Sequence, residues 1–398
     1  MLNTERKRKM EANLWKFYLL NAIPTVSIVS SIFVLFFQDI GLSLTEITMI
    51  LSIYSIAIAI LALPGGFFAD MFGRKPTLIL AGVFYTLSAL VFSLSTTFFD
   101  ILLAYILLAI GISLMWGGVI VAFLYETLKE LNQTKSYKKI LGRADFYSSL
   151  IAIVAISAGG ILGSIDIRLP YYATTLSAFL IIVVSYTLTE PKRQKYIFKQ
   201  NNLLDSLKTL LNEILKNKKL KWMIFFSGVF SGLIWVGYWF YQPYFKLSNL
   251  DLVYFGFVFA SFTLFNGLGS KYAYKIEEKL GLKQVLVLSV ILSTTAYALL
   301  GFFVSSLSFL FVFVIYFVMG VSNIITNNYI NNLIKSNNRA IILSINLMLL
   351  RLVGAICIFL LGGFAELYTL SLTFILISCL ILFIGGLFLL KLYKIKAI

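Results

Sequence analysis

The stretch "GGFFADMFGRK", residues 65–75, interrupts a long apolar run with two glycines, one aspartate and a basic pair. Between Glu46 and Asp70 the chain carries no charge at all. A helix of about 20 residues, rising about 1.5 Å per residue, crosses the roughly 30 Å hydrocarbon core of a bilayer. The run before Asp70 is long enough and apolar enough to do so. Residues 65–75 therefore read as a helix end meeting water at the membrane surface.

The rest of the chain repeats that pattern. Of 398 residues, 60% are apolar and 13% are charged, against about 45–50% and about 25% for a soluble domain. Such a surface cannot be wetted, so the chain is an integral membrane protein. Its apolar runs give twelve candidate spans at 14–37, 45–68, 77–95, 101–124, 144–164, 170–189, 221–242, 251–270, 284–303, 307–330, 340–362 and 370–390. The runs are too long, and alternate too little, for the strands of a membrane barrel. The expected fold class is an all-α membrane protein of twelve transmembrane helices in two six-helix bundles.

Charge sets the topology. There are 33 Lys and Arg against 17 Asp and Glu, a net charge of +16. The basic residues cluster at the N-terminus, 74–75, 129–143, 192–221, 271–283, 335–339 and 391–396. The alternate turns hold Asp39, Glu46, Asp100, Asp166, Asp251 and Glu366, with only Arg168 and Lys246 as basic exceptions. This is the positive-inside distribution, and it places both termini in the cytoplasm. Scattered along membrane flanks, the positive charge suits anionic headgroups; nucleic acid is excluded as a partner. The first apolar run is too long for a cleaved signal peptide. Cys357 and Cys379 both fall inside spans, which argues against a disulfide or a metal site, and with no histidine imidazole chemistry is excluded.

Three domains follow: a bundle over 1–190, a linker over 191–220 and a bundle over 221–398. In the linker Leu203, Leu204, Leu207, Leu210, Leu211, Ile214 and Leu215 recur at helical spacing among charges, predicting an amphipathic helix. The halves echo each other. "LGRADFYSSL" precedes the fifth span and "NNRAIILSIN" the eleventh, placing Arg143-Ala144 and Arg339-Ala340 alike. The glycine-rich, charged stretch 65–75 has a degenerate counterpart at 267–283. Weak internal repeats of this kind mark transporters that alternate access between two bundles.

At one depth lie Asp70, Arg74, Glu126, Arg143 and Asp145, predicted to form an ion-pair cluster at the cytoplasmic face. Membrane anchoring explains Lys75 but does not ask for acids there, so the cluster reads as a conformational lock. Gly66 lets a neighbouring helix approach, and Gly73 allows a backbone shape few residues tolerate.

The stretch resembles the signature loop of the major facilitator superfamily, G-x-x-x-D-x-x-G-R-K, matched by Gly66, Asp70, Gly73, Arg74 and Lys75. The resemblance extends over essentially the whole chain. It implies that Asp70 pairs across the half interface near Arg339, that Arg74 reaches Glu126, and that these contacts hold an outward-open state. "VAFLYETLKE" (121–130), followed by "LGRADFYSSL", is similar to efflux members of that family. Two features depart from proton-coupled drug exporters. No arginine occurs between Asp100 and Lys129, and the fifth span, "AISAGGILGS", keeps Gly159, Gly160 and Gly163 but has no proline.

A polar residue deep in a span is a functional suspect. Arg351 sits near the middle of the eleventh span and is expected to meet an anionic or zwitterionic substrate, or to make a helix contact. Asn21, Trp116, Trp235, Tyr238, Asn266, Asn323, Asn327 and Asn346 are further cavity candidates. Tyr241 and Trp239 read better as interfacial aromatics, and membrane asparagines also serve as helix glue. No Asp or Glu lies near the centre of a span, which speaks against the simplest drug/proton exchange. Glu46 or Asp145 remain as places where a proton could bind.

The leading expectation is a secondary transporter exporting a small organic molecule. The alternative is uptake or facilitated transport of an anionic or zwitterionic metabolite. A phosphate-binding loop for ATP is missing, no cofactor or metal is expected, the poor palette of side chains argues against a membrane enzyme, and a two-state gate argues against a channel. A coupling proton or sodium ion, a monomer in the bilayer and a place in the cytoplasmic (inner) membrane complete the reading.

Overall fold

The computed structural model describes residues 4–116, 119–192, 214–334 and 339–395, and every regular element among them is helical. The helices are α1 (Thr4–Ala22), α2 (Phe33–Asp39), α3 (Leu44–Phe72), α4 (Arg74–Leu94), α5 (Phe98–Trp116), α6 (Val119–Glu130), α7 (Tyr137–Ile165) and α8 (Leu169–Tyr186). They continue as α9 (Lys218–Val236), α10 (Tyr238–Leu247), α11 (Leu252–Phe302), α12 (Phe309–Leu333), α13 (Arg339–Leu367) and α14 (Leu370–Lys394). Among the described residues 10 helices are long and apolar enough to cross a membrane, or 11 if one bent pair counts as a single span. The twelve runs of the sequence thus appear as fewer elements. The difference arises at the first run, which is that bent pair, and at α11, whose 51 residues cover two predicted spans and are broken by a non-helical Gly281 at φ 74°. The amphipathic helix predicted in the linker falls largely on residues 193–213, outside the described residues.

Two compact units divide the chain. The first takes Met1–Leu42, Ile56–Ile197 and Leu252–Ala260; the second takes Ser43–Ser55, Phe198–Asp251 and Ser261–Ile398.

In the first unit, Phe17 and Leu20 of α1 pack on Leu78 and Ala81 of α4 and on Met115, Phe123 and Leu124 of α5 and α6, all buried. Toward the other end, Phe36 lies tilted 4.2 Å from Tyr171, and Phe92 meets Tyr105 edge-on at 4.9 Å. Arg168, a basic exception among the acidic turns, is a staple here. Its guanidinium donates to the carbonyls of Ser93 (3.0 Å) and Ser95 (3.2 Å) and lies 5.4 Å over Phe36.

The first predicted span is broken. After α1 come two 3-10 turns, Ile23–Thr25 and Ile28–Ser31, and then α2, bent by 49°. Pro24 accounts for the end of α1, since it lacks an N–H and its ring collides with the carbonyl four residues back; the 49° bend falls later, between Ser31 and Phe33. α7 supports the break. Thr25 Oγ1 donates to the Ser148 carbonyl (3.2 Å) and Ser31 Oγ to the Ile156 carbonyl (3.4 Å). Gly159 faces the Ile28 carbonyl so closely that a Cβ there would overlap it, and a Cβ at Gly163 would press on Ile32 at 3.1 Å. These glycines of the fifth span seat the unwound chain. Gly159→Ala should therefore lower stability by about 1–3 kcal/mol. Thermal unfolding in detergent should show a Tm drop that Gly142→Ala, with nothing within 4 Å of the added Cβ, does not.

Two acids of the turns between spans close helix ends. Ser43 N–H donates to Glu46 Oε2 (2.9 Å), and Glu46 N–H to Ser43 Oγ (3.2 Å). Thr97 and Asp100 repeat this reciprocal box at the start of α5, at 3.0 and 3.3 Å. The Thr96 N–H, first among these bonds, holds the Asp100 carboxyl below its ordinary value.

In the second unit α9 packs against α12, α13 and α14. Its residues Ser227, Gly228, Ser231 and Gly232 form a small-residue face. A Cβ at Gly228 would lie 2.9 Å from Leu349 Cβ, and one at Gly232 would lie 3.1 Å from the Leu350 carbonyl. Between α9 and α10 the helix breaks at Gly237, where the Tyr297 hydroxyl occupies the space of a side chain and donates to the Ile234 carbonyl. Ser43–Ser55 joins α13: Thr45 N–H donates to Glu366 Oε2 (2.9 Å), and Ser52 Oγ donates to the Ala355 carbonyl (2.9 Å).

Candidate functional site

Two sites stand out, one in each unit. In the first, α3 ends and α4 begins at Gly73, whose φ of 116° and ψ of 162° belong to a region essentially open only to glycine. That turn sets Arg74 at the first position of α4. Its guanidinium reaches Asp70 Oδ1 at 2.8 Å and Glu126 Oε1 at 2.9 Å, and its side chain is only 13% exposed. One cation thus joins the end of α3, the start of α4 and the middle of α6.

Glu190 closes the arrangement from behind. Its two carboxylate oxygens accept the Arg74 N–H (2.8 Å) and the Lys75 N–H (2.7 Å), capping the N-terminus of α4 with a negative charge where the helix dipole favours one. A second layer ties this end to α1. Arg6 pairs with Glu130 at 2.5 Å, and Glu130 also accepts the Lys192 N–H at 2.8 Å. The Asn13 amide bonds both the N–H and the carbonyl of Thr189.

Asp70, Arg74 and Glu126 are therefore gathered, with Gly73 as their pivot. Arg143 is exposed and joins no ion pair among the described residues. Asp145 accepts from Asn21 Nδ2 at 3.2 Å. Gly66 is helical within α3 and Arg339 opens α13, but the side-chain surroundings of both lie outside the described residues.

The second site is built on Arg351. Its Cζ lies 5.0 Å from the ring centroid of Trp235, a cation–π contact worth up to about 2 kcal/mol when desolvated. Trp235 in turn stacks parallel to Tyr238 (6.3 Å, 9°) and edge-on to Trp239 (5.0 Å, 86°). Tyr54 lies within electrostatic reach of Arg351. The Ser52 bond to Ala355 sets Tyr54's helical turn beside that of Arg351. No carboxylate pairs with Arg351 among the described residues. Trp235 and Tyr238, with Tyr241, Tyr316 and Met319, also line a narrow crevice. The arrangement offers a planar cation beside aromatic walls, suited to an acidic group carried on an organic body.

The other candidates fall into different settings. Asn346 is buried; its Nδ2 donates to Ser227 Oγ (3.2 Å), which donates to Thr326 Oγ1 (3.2 Å), and Asn346 Oδ1 has no hydrogen-bond partner among the described residues. Asn323 Oδ1 accepts from Ser231 at 3.2 Å on the same seam of α9 and α12. Asn266 Nδ2 donates to the Tyr316 carbonyl (3.4 Å), joining α11 to α12. Asn21 is buried and donates to Ser148 Oγ (2.9 Å) as well as to Asp145, joining α1 to α7. Trp116 is 43% exposed at the end of α5, and Asn327 is exposed on α12.

Sequence reasoning missed Glu190, Tyr54, Ser227 and Ser231. For the two serines a signal existed, the small-residue spacing of "SGVFSG". For Glu190 and Tyr54 only the tertiary partners identify the role.

This architecture defines a multi-pass membrane transport protein. The profile of the Major Facilitator Superfamily matches residues 17–356, and the chain belongs to that family. As a member it is a secondary transporter of a small organic molecule, working by alternating access, and not an enzyme. Among solved structures it is similar to a mutant of the nucleoside transporter NupG, with TM-score 0.82 and 14% identity over 96% of this chain and 99% of that one. It is similar also to a D-xylose-proton symporter, with TM-score 0.66 and 13% identity over 94% and 96% of the two chains. Multidrug resistance protein 1 of Bacillus subtilis is 26% identical over 161 residues, 39% of each chain.

Proposed function

We propose that this transporter carries a small anionic or zwitterionic metabolite, by uptake or facilitated transport, and that Arg351 binds the acidic group. One observation carries the reading: a half-buried arginine within a span, stacked on Trp235, that no carboxylate neutralises among the described residues. An intramembrane cation is costly unless something compensates it, and a substrate carboxylate or phosphate is a fitting partner. Other polar residues of its unit, Asn346, Asn323 and Asn266, belong to helix contacts that shape it. Asn21, Trp116 and Asn327 remain candidates for other parts of the path. Likeness to a proton symporter supports coupled uptake, with a proton as the favoured ion over sodium. Export is the second reading, supported by the shorter likeness to a multidrug resistance protein.

The reading further takes α1–α2, α5–α6 and α9–α10 as one broken span each and the arms of α11 as two, giving twelve spans. They form bundles over 1–190 and 221–398 joined by 191–220. Both termini are placed in the cytoplasm, and the protein in the inner membrane as a monomer. Gly66, Asp70, Gly73, Arg74, Glu126, Arg143, Asp145 and Arg339 form the conformational gate.

The test is a thermal-stability screen of purified protein with carboxylates, organic phosphates and organic cations, in acidic and neutral buffer, with and without sodium. Hits are then assayed for uptake into proteoliposomes. Acidic compounds should stabilise, and acid outside the liposome should speed their entry. Stabilisation by organic cations alone would overturn the anion reading.

A further inference from the structure

Away from both sites, the basic ends of three helices of the second unit meet around two aromatic rings. Trp222, near the start of α9, packs 5.9 Å from Phe388 of α14. Lys221 Nζ lies 5.4 Å from the Trp222 centroid and Lys391 Nζ lies 5.2 Å from the same ring. Two residues beyond Lys391 on α14 is Tyr393, and Lys283, just past the Gly281 break, sits 4.1 Å from its ring centroid. No acidic side chain pairs with Lys221, Lys283 or Lys391 among the described residues.

Two ammonium groups sharing one indole repel each other, and the ring quadrupole offsets only part of that cost. An anion held between them would remove it. The surroundings say which kind. On α14, Phe383, Leu387 and Leu390 are 68%, 52% and 60% exposed and form one apolar stripe, and Lys391 follows Leu387 one turn later beside it. Trp and Tyr at helix ends lie at headgroup depth. The feature thus has an apolar rail, an interfacial ring and a cationic head in that order, which is the order of parts in a phospholipid. A soluble phosphate would have no use for the rail.

We propose that Lys221 and Lys391, across Trp222, hold the phosphate of an anionic phospholipid whose acyl chain lies along the Phe383–Leu390 stripe of α14, with Lys283 as a flanking cation. This rests on the membrane placement of these helix ends and not on the transport reading. Native mass spectrometry of the full-length detergent-solubilised protein, titrated with dioleoylphosphatidylglycerol, tests it. With each lysine contributing about fivefold, Lys221→Gln/Lys391→Gln should bind the lipid roughly 25-fold more weakly. Lys391→Gln alone, a change at an exposed residue, should bind about fivefold more weakly. Lys221→Arg/Lys391→Arg should stay within about twofold of the parent. Phosphatidylcholine binding should not distinguish parent from variants. Equal phosphatidylglycerol binding by the parent and both Gln variants would overturn the site. Displacement of the lipid by equimolar inorganic phosphate would assign it to a soluble anion and overturn the lipid.

Discussion

Arg351→Ala is expected to weaken binding of the acidic substrate at least about 100-fold while the ligand-free protein unfolds at nearly the parent temperature. The magnitude follows from losing a bidentate, charge-assisted contact of about 1.5–3 kcal/mol per hydrogen bond. Folding should survive, because the guanidinium joins no carboxylate among the described residues and its removal strands no buried charge. Arg351→Lys keeps the charge but loses the planar fork and its stacking on Trp235. It should fall between parent and Ala. The measurement is ligand-induced stabilisation and proteoliposome uptake with the acidic compounds that stabilise the parent. Full uptake by the Ala variant would make Arg351 a structural contact and leave the anion reading without its carrier.

The second large effect is expected at Arg74, where the sign is opposite: stability and cycling should both suffer while substrate affinity is kept. Its removal leaves Asp70 and Glu126 without the cation that joins them, in a setting where the arginine is only 13% exposed. Breaking a largely buried pair costs about 3–5 kcal/mol; Asp70 is 38% exposed, and solvent screening brings the figure to about 2–4 kcal/mol. Glu126→Gln should cost less. The double variant should cost less than the sum of the two, because both changes remove one shared contact. Transport by Arg74→Ala should fall at least tenfold. Spin-label distances on the two membrane faces should show a shift in the population of the open states. Unchanged populations and exchange rates would mean that the cluster only anchors the helix ends.

How much of this could be read before any coordinates depended on whether the signal was local. The membrane requirement is local: a run such as 47–69 without charge can do little but cross a bilayer as a helix, and so the class of fold was legible. Asp70, Gly73 and Arg74 were legible for the same reason, since their spacing of three and four residues fixes their geometry at one turn. Glu190 was not. It caps Arg74 from 116 residues further along, and nothing in "LTEPKR" distinguishes a cap from another interfacial acid. Asn21 shows the reverse ambiguity. A buried membrane amide serves equally as a ligand or as glue, and only the structure shows that this one bonds Ser148 and Asp145 of α7. Arg351 and Trp235 were each suspects, but their stacking is a property of how α9 crosses α13. The break in the first span had its signal in Pro24, yet 14–37 still read as one continuous span. The long apolar run on both sides outweighed a single residue.

The broken first span bears on how the protein is made. A continuous apolar helix can settle in the bilayer as soon as the translocon releases it. This one leaves backbone groups between Ala22 and Phe33 outside any α-helix, and the surface that seats them, from Ser148 to Gly163, is synthesised more than a hundred residues later. The amino-terminal end of the chain must therefore wait, incompletely formed, until α7 emerges from the ribosome.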